Sequence, residues 1–175
     1  MELITYPNPI LRRRAVPVEE IDDEVRDRIR EMFQIMYAAH GVGLAAPQVG
    51  WSVRLFVVNT KIDPDPDPAG EKVYINPEIT LAEGQVVEEE GCLSIPGVRG
   101  KVARHERIEI RALDVKGKPF AEDVRGLEAR ALQHEFDHLD GILFLSRLSV
   151  SDRLLVGKAL KKLEKEYKQS VRIKS

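Results

Sequence analysis

Residues 127–139 place apolar side chains on two faces of one helix, and a helix lined on both sides has to lie inside the molecule. Leu132, Phe136 and Leu139 form one stripe, while Leu127, Ala131, His134 and His138 form the other at helical spacing. The rest of the chain must be arranged around this segment. A second helix is expected over residues 25–37, where Val25, Ile29, Met32, Phe33, Met36 and Tyr37 share a face, with Asp22 or Asp23 as cap and Gly41 as stop. A third is expected over about residues 151–169, with Val156, Leu160, Leu163 and Tyr167 turned inward and a capping box at Ser149 and Asp152.

Between these helices the periodicity is that of strands. Residues 52–59 (SVRLFVVN) read as a buried strand. Residues 73–75, 79–82 and 85–89 read as short strands broken at Asn76-Pro77 and Glu83-Gly84. Residues 105–113 alternate charged and apolar, as a strand with one wet face does, before a turn at Lys116-Gly117. Residues 61–71 set three Asp-Pro pairs in a row, which excludes helix and central strand and demands a surface loop. The 175 residues show no internal repeat and no second core pattern. The expected fold is α+β, with small antiparallel or mixed sheets packed around the central helix, and with an N-terminal and a C-terminal helix. A single domain over residues 1–175 is expected, ending in a basic helix and tail over residues 147–175.

The central helix carries His134-Glu135-Phe136-Asp137-His138, an HExxH motif. Four residues make just over one turn, so both imidazoles project from one face and can bind one metal ion, with Glu135 beside them to handle the proton of a water on that metal. A third ligand is needed. Phe144 stands where the metzincin pattern requires histidine, and Glu164 and Glu166 lie on the basic terminal helix, where they are poor candidates. His40 and His105 stay possible. Cys92, the one cysteine, excludes an intrachain disulfide and is the stronger candidate: it sits in EGCLSIP, a bend bounded by glycine and proline after a strand. A lone cysteine is more often a small buried hydrophobe, but here a two-histidine site lacks a partner. Residues 41–50 (GVGLAAPQVG) match a dinucleotide-binding turn superficially, yet the order is helix, glycines, strand, the reverse of what that turn requires. What remains is a tight small-residue bend with one polar side chain, Gln48.

GVGLAAPQ, EGCLSIP and QHEFDHLDG, in that order, resemble the three signature segments of peptide deformylase, and the likeness extends from TYPNPILRRRA to the C-terminal helix. The resemblance implies removal of the formyl group from N-formyl-methionyl nascent peptides. It implies that Cys92, His134 and His138 bind one divalent metal, Fe2+ by the habit of the family, with Zn2+, Ni2+ or Co2+ compatible with a thiolate and two imidazoles. Glu135 would be the general acid/base, and the Gln48 side chain and the Leu93 backbone N–H would stabilise the oxyanion. Gly43 and Arg99 fall where the family contacts peptide. Val42, Leu127 and Ala131 either line the methionine slot or are simply core. The rival readings are an HExxH zinc endopeptidase and a non-catalytic metal-binding module.

The net charge of −2 hides an asymmetry. From Arg147 onward nine Lys or Arg face three acids, a net +6, so the first 146 residues carry −8. The basic helix is either a solvated face or, as the resemblance implies, a means of docking on the ribosome. No run approaches the roughly 18 apolar residues of a membrane span, and the start shows neither signal nor transit peptide. A cytoplasmic protein is expected, with neither membrane nor DNA as partner.

Overall fold

The computed structural model describes residues 1–61 and 65–174, with residues 173 and 174 as backbone only. Residues 62–64, the start of the expected Asp-Pro loop, lie outside the described residues. The elements run α1 (Asp23–Ala38), β1 (Gly43–Ala45), β2 (Leu55–Val58), β3 (Lys72–Glu83), β4 (Val86–Cys92), β5 (Ile95–Arg104), β6 (Arg107–Leu113), β7 (Pro119–Arg125), α2 (Gly126–Leu139) and α3 (Val150–Lys174). Five strands form one sheet in the order β1-β2-β3-β6-β7, while β4 and β5 pair with each other alone. Every one of these pairings is antiparallel, and a parallel bridge joins Val16 to Val53. The architecture is α+β, with three α-helices and small sheets among the described residues.

The core explains why residues 55–58 are apolar without alternation. Leu55 and Val57 face α1, where they meet Val25, Ile29, Met32, Phe33 and Met36. Phe56 and Val58 face the other way, onto Leu132 and Leu139 of α2 together with Tyr74, Ile108 and Ile110. A strand covered on both faces has no wet side to mark with polar residues. The β4-β5 hairpin builds a third cluster: Ile95, Val98 and Val102 pack with Leu11, Leu143, Phe144 and Leu148, and α3 closes it with Val156, Ala159, Leu160 and Leu163.

The helix starts follow the sequence. Asp22 accepts from the Val25 N–H at 2.8 Å, and Ser149 and Asp152 cap α3 through Ser149 Oγ, which accepts from the Asp152 N–H at 3.0 Å. Three details differ from expectation. The residue that ends α1 in the left-handed region is His40, at φ 56°, with Gly41 donating back to the Met36 carbonyl at 2.9 Å. Residues 72–83 form one strand across Asn76-Pro77, where a break was expected. Asn76 adopts φ 50° at a register shift, and its amide bonds both the N–H and the C=O of Val18 at 2.8 Å, so a bulge absorbs the proline. Pro96, Gly97 and Gly100 mask the alternation of β5, which is legible only in the structure. Among the described residues no helix is long and apolar enough to cross a membrane.

Candidate active site

α2 supplies His134, Glu135 and His138, and the two imidazoles stand edge to face with ring centroids 5.0 Å apart. Cys92 ends β4 beyond a register shift at Gly91, and Leu93 and Ser94 form the two-residue turn that leads into β5. Cys92 Sγ lies 3.3 Å from His138 Nε2. The ligand atoms of Cys92, His134 and His138 all fall within 4.8 Å of one another. Among the described residues no other His/Cys/Asp/Glu group meets that criterion. His40 lines the cleft but is not in this group, and His105 points elsewhere, its Nδ1 3.1 Å from the Gly84 carbonyl.

The two imidazoles are perturbed in opposite directions. Burial opposes a proton on His134, but the Cys92 sulfur and the Glu90 carboxylate beside it outweigh that and raise its affinity for one. Burial keeps His138 neutral. One thiol and two imidazoles, drawn together, fit a divalent metal by donor type and by spacing. Among the described residues, two buried side-chain atoms lack a hydrogen-bond partner, Glu135 Oε2 and His138 Nδ1. The carboxylate oxygen marks where a ligand or water would be held.

Glu135 is pushed up to about 7, chiefly by burial, with His134 and Arg104 pulling the other way. Its carboxylate sits against Gly43: a Cβ there would stand 2.5 Å from Oε1. Gln48 is buried, and its Oε1 accepts from the Ala45 N–H at 2.8 Å. Because Ala45 N–H can only donate, the amide orientation is settled, and Nε2 must face Ser94 Oγ at 3.2 Å and Cys92 Sγ at 3.5 Å.

These groups open onto a cleft of about 820 Å³. Val42, Gly43, Gln48, Cys92, Leu93, Arg99, Leu127, Ala131, His134 and Glu135 all line it, while His138 lies beneath, 1% exposed. Leu127, placed by its periodicity on an inward stripe, is 59% exposed at the mouth of the cleft. Leu127 is in the first turn of α2, and the stripe becomes buried only from Ala131 onward. Arg99 is half exposed and paired with Glu89 at 3.0 Å.

The site also contains charged residues to which the sequence reading gave no role. Buried Glu90 accepts from His134 Nδ1 at 3.1 Å, from Arg104 at 2.8 and 2.9 Å, and from Arg130 at 2.6 Å. Burial works against its charge, but the His134 ring and the Arg104 guanidinium hold it well below the usual carboxylate range. Arg104 also reaches Asp137, which pairs in turn with Arg147. A carboxylate on Nδ1 fixes the ring so that Nε2 faces the ligand side. Glu90 stands two before Cys92, but the register shift between Gly91 and Cys92 breaks the strand alternation that would relate their directions. Arg130 and Asp137 share one face of α2, seven residues apart, while Arg104 comes from the end of β5 and nothing local links it to them.

The sequence model of the polypeptide deformylase family matches residues 1–154. The chain is 46% identical over 164 residues to a peptide deformylase of Acidobacterium capsulatum, covering 93% of this chain and 95% of that one. It is 45% identical to one of Thermodesulfovibrio yellowstonii, covering 92% and 96%. Among solved structures, peptide deformylase from Plasmodium falciparum superposes with a TM-score of 0.93 at 38% identity, covering 96% of this chain and 98% of that one. Peptide deformylase from Synechococcus elongatus, in complex with actinonin, superposes at 0.87 with 43% identity, covering 94% and 88%.

Proposed function

The chain belongs to the polypeptide deformylase family, a family of metal-dependent enzymes, and from that premise we propose that it removes the formyl group from N-formyl-methionyl nascent peptides and releases formate. The observation that carries the reading is the meeting of Cys92, His134 and His138 ligand atoms within 4.8 Å, beside a buried Glu135 oxygen with no partner.

Cys92, His134 and His138 would hold a divalent metal, Fe2+ on the family's habit, and when bound it supplies a Lewis acid and an activated water. Glu135 takes the proton of the attacking water at Oε2 and later returns it to the leaving amine nitrogen, a transfer suited to a carboxylate poised near 7. Gln48 Nε2 and the Leu93 N–H donate to the formyl oxygen as it becomes negative. Gly43 leaves room for the Glu135 carboxylate. Val42, Leu127 and Ala131 form the apolar slot for the methionine side chain, and Arg99 contacts the peptide beyond it. Work on nascent chains puts the enzyme in the cytoplasm, with α3 docking at the ribosome.

The test is formate release from formyl-Met-Ala-Ser by protein purified without air, with metal analysis of the same sample. Formate with intact peptide bonds is expected, together with a loss of activity in air as iron or Cys92 oxidises. Cleavage of peptide bonds would make it an endopeptidase instead. Turnover unchanged in Glu135→Gln would remove the assigned acid/base.

A further inference from the structure

Resting on the reading that Cys92, His134 and His138 hold a metal, we propose that Arg147, at the root of α3, is a positioning residue for that centre: it fixes Asp137, and through Asp137, Arg104 and Glu90 it fixes the ring of His134.

The contacts form one unbroken line. Arg147 donates from Nε and Nη2 to the two carboxylate oxygens of Asp137. Arg104 donates from Nη1 to Asp137 Oδ2, and from Nε and Nη2 to the two oxygens of Glu90 at 2.8 and 2.9 Å. Glu90 Oε2 then faces His134 Nδ1 at 3.1 Å. The side chains of Glu90, Arg104 and Asp137 are buried, so water does not replace a missing partner there. Arg147, 40% exposed, is the end of the line that reaches the surface beside α3.

The sharing of donors gives Arg147 its leverage. Asp137 draws on Arg104 and Arg147, while Glu90 draws on Arg104, Arg130 and His134. Arg104 therefore serves both carboxylates. Without Arg147, Asp137 is left with Nη1 of Arg104, and a buried carboxylate short of donors pulls that guanidinium toward itself. The Nε and Nη2 fork then turns away from Glu90, which orients the His134 ring. Arg130, 2.6 Å from Glu90 Oε1, limits the displacement. Buried ion pairs add little net stability over apolar side chains of the same volume, so the fold alone does not account for a charged line that ends on a metal ligand.

A second contact ties the same segment to the ring. Arg147 ends the short 3-10 turn Phe144–Arg147, and buried Phe144 lies against His134 with ring centroids 6.3 Å apart. Arg153 also holds this turn, donating to the Leu145 carbonyl at 3.0 Å, but it stands outside the line. Comparing the two arginines separates the placement of the turn from the contact with Asp137.

The experiment measures the affinity of the full chain for Co2+ by competition with a chromophoric chelator. The parent is compared with Arg147→Gln, Arg153→Gln, Glu90→Gln, and Arg147→Gln combined with Glu90→Gln. Arg147→Gln should weaken Co2+ binding about 3- to 30-fold, less than the loss of about 10- to 100-fold in Glu90→Gln. Arg153→Gln should stay within about twofold of the parent. In the Glu90→Gln background, Arg147→Gln should add no more than about twofold, because the line is already cut. Parent affinity in Arg147→Gln would overturn the proposal and leave the metal site in place. Additive losses in the combined variant would also overturn it, since Arg147 would then act through the backbone of α2. An equal loss in Arg153→Gln would overturn it by assigning the effect to the turn. A parent that binds no Co2+ would instead overturn the metal site, and the positioning role with it.

Discussion

Glu90→Gln keeps the shape of a buried side chain and removes its charge, so it isolates what that charge does. The carboxylate receives four hydrogen bonds from three cationic or ring donors: two from Arg104, one from Arg130 and one from His134. A glutamine amide accepts with one end only, and its NH2 end faces donors. Two of the four bonds are lost, at about 1.5–3 kcal/mol each for bonds to charged groups. A total near 4 kcal/mol agrees with the roughly 3–5 kcal/mol measured when one partner of a buried ion pair is removed. For a chain of this length that lowers the thermal midpoint by about 8–16 °C. His134 also loses the partner that orients its ring, which should weaken metal binding about 10- to 100-fold. The control is Glu88→Gln. Glu88 pairs with the same Arg130 at 2.9 Å, but its side chain is 57% exposed, so its loss should cost no more than about 1 kcal/mol. Metal-free thermal unfolding and a chelator-competition titration read both effects. Equal midpoints for the two variants would refute the reasoning, as would unchanged metal affinity in Glu90→Gln.

Gly43→Ala would drive a methyl group to 2.5 Å from Glu135 Oε1 and 2.9 Å from its Cγ and Cδ. The carboxylate must retreat by close to ~1 Å, and kcat for formate release should fall about 100-fold with metal content unchanged; parent-like kcat would show that Glu135 tolerates the shift. Gln48→Ala should lower kcat about 100- to 1000-fold while KM changes little, as measured by steady-state kinetics on a formylated tripeptide. Gly141→Ala adds a side chain at φ 71°, 2.5 Å from the Arg12 carbonyl oxygen. Strain and overpacking together should destabilise by about 2–4 kcal/mol, seen as a lower urea midpoint.

What could be read from sequence was local. The two-faced helix, the His134 and His138 pair and the Asp22 cap each depend on residues within a turn or two, where spacing dictates direction. Cys92 was reachable because its segment is bent and a two-histidine site needs a partner. Bulges and masked strands were harder. Asn76-Pro77 looks like a break because the sequence shows the proline, but not that Val18 supplies two hydrogen bonds to hold the bulge closed. The Glu90, Arg104, Asp137 and Arg147 chain was least legible. Its members lie in β4, β5, α2 and the short 3-10 turn Phe144–Arg147 before α3, and a charged residue that will be buried by long-range pairing looks the same in sequence as one that stays in water. The same ambiguity applied to Leu127, whose spacing matches the buried stripe although its place at the helix start leaves it exposed.

The turn after β4 makes Cys92, Leu93 and Ser94 consecutive residues. On the proposed reading, a metal ligand, an oxyanion donor and the hydroxyl that receives the Gln48 amide are therefore joined by peptide bonds, with neighbouring Cα atoms about 3.8 Å apart whatever the rest of the molecule does. Their separation is a bond-length property. The distances from this trio to Gln48 and to α2 are of another kind, since they depend on how separate elements pack. Warming, or mutation at the sheet, can loosen the second set without touching the first. The catalytic ruler thus has a rigid half and a compliant half, and drift in the compliant half will show first in the reach of Gln48.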